Sequence, residues 1–139
     1  MATLLAHITI KEGSEARFEE LARAMWERTH ADEDDVRRYE FWRGADPRTY
    51  YCLESFADLH GFLRHQTSAH HEGYGPDLRD VIESMRLEWV DPIEGASPLV
   101  PTNDQPLPAD ATDLMREKYP SFSRLAAAWW SSLRKTVRR

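Results

Sequence analysis

The chain has 139 residues, of which 41% are apolar and 30% charged, and its formal net charge is −6. That composition suits one globular domain with a short addition, rich enough in Leu, Phe and Trp to build a core. No run of 18 apolar residues is present, and the opening MATLLAH lacks the charged start and apolar stretch of a secretory signal, so neither a membrane-spanning helix nor a leader is expected. The single cysteine, Cys52, excludes an internal disulfide and a cysteine-based zinc site, and a reducing, cytoplasmic setting is the simplest expectation.

Residues 3–10 (TLLAHITI) are apolar and β-branched and read as a strand, followed by a Lys11-Glu12-Gly13 turn. Ser14 is placed to cap a helix over about 15–30, because Phe18, Leu21, Ala22, Met25, Trp26 and Thr29 fall on one helical face. An acidic loop, Ala31–Asp35, separates this helix from a strand at 36–43, and a turn at Gly44–Pro47 leads to a strand at 49–56. The short link makes these two an antiparallel hairpin. A second helical stretch opens at Ala57-Asp58 and is broken by Gly73, Gly75 and Pro76, with a short helix at Leu78–Ile82. Alternation of Met85, Leu87 and Trp89 with Arg86, Glu88 and Val90 marks a fourth strand at 84–91.

The order β-α-β-β-α-β predicts an α+β, ferredoxin-like fold with one antiparallel sheet. Helices cover one face only. Both parities of the central strands carry apolar or aromatic residues, so a second copy is the simplest cover for the other face, and a homodimer is expected.

Five of the eight prolines lie at 92–108. The chain divides accordingly into a domain at 1–93, a Pro-rich linker at 94–109 and a helical, basic extension at 110–139. In the extension, Asp110 is expected to cap a helix through Lys118. Pro120 then interrupts, and Ser121 starts a last helix with Phe122, Leu125, Trp129, Leu133 and Val137 on one stripe. Residues 1–119 hold 13 Lys/Arg against 24 Asp/Glu, whereas 120–139 hold Arg124, Arg134, Lys135, Arg138 and Arg139 and no acid. The body should repel nucleic acid. A basic helix at 121–139 could meet an anionic membrane or an acidic protein, but docking on its own acidic body or on its dimer mate is the favoured expectation, and over a pocket mouth it would act as a lid.

In this arrangement the first 93 residues resemble the antibiotic biosynthesis monooxygenase family. The resemblance rests on the opening strand with its Lys11-Glu12-Gly13 turn, the amphipathic helix after it, and the Leu53-Glu54-Ser55-Phe56 strand end leading into Ala57-Asp58. It rests also on His65-Gln66-Thr67-Ser68-Ala69-His70, which is similar to the family's His-x-x-Ser-x-His segment. Phe56 stands where the family usually has Trp. The resemblance implies a dimeric α/β barrel. It further implies a cofactor-independent monooxygenase, with molecular oxygen as co-substrate, acting on a polycyclic phenol, anthrone or quinol in aromatic natural-product metabolism. A non-oxidative cyclase or isomerase, a small-molecule-binding protein, and an adaptor acting through the C-terminal helix remain open alternatives.

Such chemistry needs a base, an apolar cavity and donors for developing negative charge. His65 and His70 sit on the matching segment and are the candidate catalytic residues, with a structural role at a helix end as the alternative. No metal site is expected from them, since a five-residue offset places two side chains about 140° apart on one helix. His7, Tyr39, Trp42, Tyr51, Phe62 and Trp89 are the candidate substrate-binding residues, with His7 reaching a cavity between sheet and helices. Glu54 is either a buried acid paired across the dimer, with Arg37, Arg38, Arg43 and Arg86 as possible partners, or an acid near the pocket. Cys52 reads as a buried, inert thiol. No phosphate loop, serine elbow or dinucleotide fingerprint is present, so no organic cofactor is expected.

Overall fold

Alternation along the first strand, β1 (Ala2–Ile10), defines the two faces of the sheet in this computed structural model, which describes residues 1–127. Ala2, Leu4, Ala6, Ile8 and Ile10 are buried, whereas Leu5, His7 and Thr9 point the other way and are half-buried. The remaining strands are β2 (Val36–Arg43), β3 (Thr49–Phe56) and β4 (Ile82–Trp89), and all pairings are antiparallel in the order β2-β3-β1-β4. The register places Leu4 beside Glu54 and Trp89, and Ala6 beside Cys52 and Leu87, on the helix-covered face. Leu5 pairs with Leu53, and His7 with Tyr51, on the opposite face. The expected ferredoxin-like α+β architecture is the one found.

Helix α1 (Glu15–Asp32) covers the sheet with Phe18, Leu21, Ala22, Met25 and Thr29, as the spacing predicts, and runs two residues past the expected end. Ser14 precedes it but makes no side-chain cap bond. The preceding turn is closed instead by Ser14 N–H to the Lys11 carbonyl, at 3.0 Å. Gly13 has φ +80, a conformation that costs other residues strain, so glycine is the residue that fits this turn.

The second crossover holds two helices, α2 (Leu59–Gln66) and α3 (Ala69–Val81), separated by a corner at Thr67-Ser68. Asp58 caps α2 by accepting from Gly61 N–H at 2.8 Å. Ser68 caps α3 by accepting from His71 N–H, and its hydroxyl donates back to the His65 carbonyl at 2.9 Å. Gly73, Gly75 and Pro76 do not end the helix. They lie inside α3, where proline removes one N–H bond while Tyr74, Leu78 and Val81 pack on the core. The short helix expected at Leu78–Ile82 is therefore the end of α3 and the start of β4.

After β4 the chain runs without regular structure along the body, held by bonds at 102–106. Asn103 N–H donates to the Met1 carbonyl, Leu59 N–H to the Gln105 side chain, and His60 contacts the Pro106 carbonyl. The last described helix, α4 (Asp113–Phe122), is capped by Thr112 rather than Asp110. Pro120 lies within its final turn rather than ending it, and Ser121 belongs to the same helix rather than starting another. Burial of Met115 and the packing of Tyr119 and Phe122 on the core hold the turn that proline weakens. Lys118 reaches back to the Gln66 carbonyl and the Glu72 carboxylate, which ties α4 to α2 and α3. The expected stripe of Trp129, Leu133 and Val137 lies outside the described residues. No helix among the described residues is long and apolar enough to cross a membrane.

Candidate functional site

A cavity of about 350 Å³ lies between the sheet and the helices. Ala6, Ile8, Phe18, Met25, Phe41 and Leu87 give it apolar walls, and Phe122 of α4 contributes to its lining. Polar groups at its surface are Tyr39, Cys52, Glu54, Gln66, His71, Arg79, Glu83 and Ser84. An apolar cavity with a few convergent polar groups is the usual form of a small-molecule site.

Glu54 is its most unusual member. Its side chain projects from β3 toward the helices because it shares the parity of Cys52 and Phe56. It is 7% exposed, and its Oε2 has no hydrogen-bond partner. Burial, and secondarily the nearby Glu33 carboxylate, push its pKa up to about 8. The expected arginine partners are engaged elsewhere: Arg37 with the Asp34 and Val36 carbonyls, Arg38 with Glu40, Arg43 with Glu19, and Arg86 with Glu88. Tyr39 faces Glu54 directly across the β2–β3 pairing, and burial keeps its phenol protonated. The Cys52 thiol is raised well above its ordinary value by burial, which keeps it uncharged and inert.

His71 lines the cavity as well. Its Nδ1 is buried without a hydrogen bond, and burial followed by the field of His65 lowers its pKa to about 3. The ring is thus neutral at physiological pH. The sequence reading passed over His71 because it stands one residue beyond the matching segment. The α3 turn, not the segment's spacing, aims it at the cavity.

The two expected catalytic histidines do not line this cavity. They meet behind its wall, in a cluster with Glu33. His65 Nδ1 is 2.9 Å from Glu33 Oε1, and His70 Nε2 is 3.0 Å from the same oxygen. His65 ends α2, His70 begins α3, and Glu33 follows the last turn of α1, so three elements converge there. The five-residue offset that separates two side chains on one helix does not apply, because the helix breaks at Thr67-Ser68. Burial pulls His65 down to about 3, aided by His70 and Lys118, and raises Glu33 to about 7 against the opposing influence of His70. The three donor atoms lie within 4.8 Å of one another and are the one group among the described residues with the spacing to hold a metal ion.

The candidate substrate-binding residues separate by strand parity. Tyr39 lines the cavity. Phe62 and Trp89 are core residues stacked edge to face at 5.5 Å. His7, Tyr51 and Trp42 lie on the face that no helix covers. His7, expected to reach the inner cavity, instead bonds Glu88 at 3.0 Å and packs edge-on against Tyr51 at 5.5 Å. Trp42 is 58% exposed and borders a separate, open groove of about 430 Å³ beside α1 and Trp26.

Comparison with known proteins agrees with this geometry. Solved structures sharing the fold include a Pseudomonas aeruginosa protein (20% identity, TM-score 0.62, covering 66% of this chain and 93% of its own). A Mycobacterium tuberculosis protein matches at 20% identity and TM-score 0.62, over 69% of this chain and 98% of its own. A Shewanella oneidensis protein matches at 23% identity and TM-score 0.60, over 64% and 87%. No curated protein is significantly similar to the chain. The family model for antibiotic biosynthesis monooxygenases matches residues 1–75, from β1 through most of α3, which takes in both histidines of the corner and the Glu54 strand end. By that match, over more than half of its length, the chain belongs to the antibiotic biosynthesis monooxygenase family.

Proposed function

We propose that the protein is a cofactor-independent monooxygenase that binds a flat phenol, anthrone or quinol in the inner cavity and deprotonates it with Glu54. The observation that carries this reading is the Glu54 carboxyl, buried at an apolar cavity wall with one oxygen unpartnered. A buried carboxyl that no cation neutralises is costly, and such groups concentrate at sites of proton transfer. Its pKa of about 8 makes its carboxylate a far stronger base than an ordinary one, and nearer in strength to a weakly acidic C–H or O–H. His71, lowered to about 3, is too weak a base for that step. In this reading the His71 ring and the Tyr39 hydroxyl, both at the cavity wall, donate to a substrate oxygen as charge develops there.

The step balances without an external reductant. Proton removal from an anthrone-type CH2 leaves an electron-rich anion, which passes one electron to O2. The two radicals combine to a peroxide anion, which takes the proton back from Glu54, and loss of water from the hydroperoxide leaves a carbonyl. One oxygen atom stays in the product and the other leaves as water, with every electron drawn from the substrate. Oxygen uptake with anthrone and quinol substrates tests this, corrected for spontaneous autoxidation. Glu54→Gln should lose the enzyme-dependent part, by about 10²–10⁴-fold.

A cyclase or isomerase reading draws on the same unpartnered carboxyl, since proton transfer alone needs no electron acceptor. Product formation without oxygen uptake would select it. The homodimer belongs to this proposal too: Leu5, Leu53, Tyr51 and Trp42 form the uncovered face a second copy would bury. So does the chain's division at 93/94 and 109/110, with α4 acting as part of the cavity wall rather than as an adaptor. A single buried thiol suits a reducing, cytoplasmic setting.

A further inference from the structure

We propose that Glu33, His65 and His70 form a binding site for one divalent transition-metal ion, which clamps the end of α1 to the α2–α3 corner. The donor set of two imidazoles and one carboxylate is the kind that suits zinc and its first-row neighbours and disfavours magnesium or calcium. The geometry is ready. Glu33 Oε1 lies 2.9 Å from His65 Nδ1 and 3.0 Å from His70 Nε2, and all three donors fit within 4.8 Å. An ion with bonds of about 2.0–2.2 Å would sit among them after small side-chain rotations.

No basic side chain competes for the carboxylate. Glu33 is bonded by no lysine or arginine among the described residues. The cations closest in the fold are engaged elsewhere: Lys118 with Gln66 and Glu72, and Arg64 with Asp35. The Glu33 side chain is only 11% exposed, and the His65 and His70 rings are its bonded partners. The hydroxyls of Thr29 and Ser68 lie 3.2 and 3.4 Å from His70 Nε2, so oxygen ligands for a further coordination position are at hand. The surrounding rings, Tyr39 at 4.9 Å and Phe56 at 5.0 Å from His65, hold that imidazole in place. The cluster does not line the inner cavity. The ion's role is accordingly to fix the corner, and this proposal stands or falls apart from the monooxygenase reading.

The test is zinc binding by the full chain after chelator stripping, read by competition with a chromophoric chelator and by thermal unfolding. The expected result is one Zn²⁺ per chain, a raised unfolding midpoint, and affinity reduced about tenfold or more in Glu33→Gln and His70→Ala. Surface controls, His60→Ala and His7→Ala, should bind as the unaltered chain does. Cobalt substitution should give visible bands of a nitrogen- and oxygen-ligated ion that vanish in Glu33→Gln. Should His70→Ala fail to fold, the near-isosteric Glu33→Gln carries the test alone. No stoichiometric zinc binding by the unaltered chain, or equal binding by Glu33→Gln, would overturn the site. Neither result involves oxygen uptake.

Discussion

Glu54 and His71 reach the same cavity from opposite layers, one from β3 and one from α3, and each holds a buried polar atom without a hydrogen-bond partner. Such atoms are rare in folded proteins, because a polar group taken from water and left unbonded costs about 1–3 kcal/mol. Both belong to the cavity proposed above to take the substrate.

The Glu54 carboxyl links activity and stability to pH with opposite signs. As base it must be ionised, so kcat/KM should rise with pH through about 8. Its folded pKa lies above the unfolded value of 4.5, so the folded state holds the extra proton between those limits. Stability from this group is full below about 4.5 and is lost as pH rises through about 8. Glu54→Gln should abolish that loss. Denaturation in urea should show the variant gaining on the unaltered protein as pH rises.

His71 acts in the other direction. Its folded pKa of about 3 lies below the unfolded 6.5, so the unfolded chain takes up its proton first and stability falls as pH drops from about 6.5 toward 3. A His71→Gln variant, neutral throughout, should unfold at lower pH than the unaltered chain in an acid titration followed by circular dichroism.

Phe62 is wholly buried, with Phe56, Trp89 and Phe122 rings at 5.8, 5.5 and 5.9 Å. Phe62→Ala should cost about 3–5 kcal/mol in chemical denaturation. It should also speed amide exchange in α4, whose Phe122 loses its neighbour.

Leu53 pairs with Leu5 at the centre of the face that no helix covers. Leu53→Asp should leave the monomer folded, because the helix-side core is untouched, yet convert a dimer to monomer in light scattering. A dimer that survives this change would place the interface elsewhere.

Much of the fold was legible because strand alternation and helix spacing are local. Phe18 through Thr29 predict α1, and Met85, Leu87 and Trp89 predict β4. The site was less legible for three physical reasons. Parity in strands with apolar residues on both faces cannot be assigned from spacing, so the candidate binding residues divide: Tyr39 lines the cavity, whereas His7, expected to reach it, lies with Tyr51 and Trp42 on the uncovered face. The His65–Glu33 contact joins residues 32 positions apart, and Glu33 reads locally as one more acid in a loop. Prolines 76 and 120 look like breaks but lose only one bond each, which packing of Leu78, Val81 and Phe122 offsets.

Cys52 is the chain's one thiol, and it lies 1% exposed in the wall of the inner cavity, beside Ala6 and across from Phe41. A reagent can reach it only when the cavity opens or the chain unfolds. The rate at which an aryl disulfide reagent labels the native protein therefore clocks cavity opening at a natural position, with no engineered probe. A ligand seated there should slow that clock in proportion to its occupancy, which makes a binding assay for compounds that are never turned over.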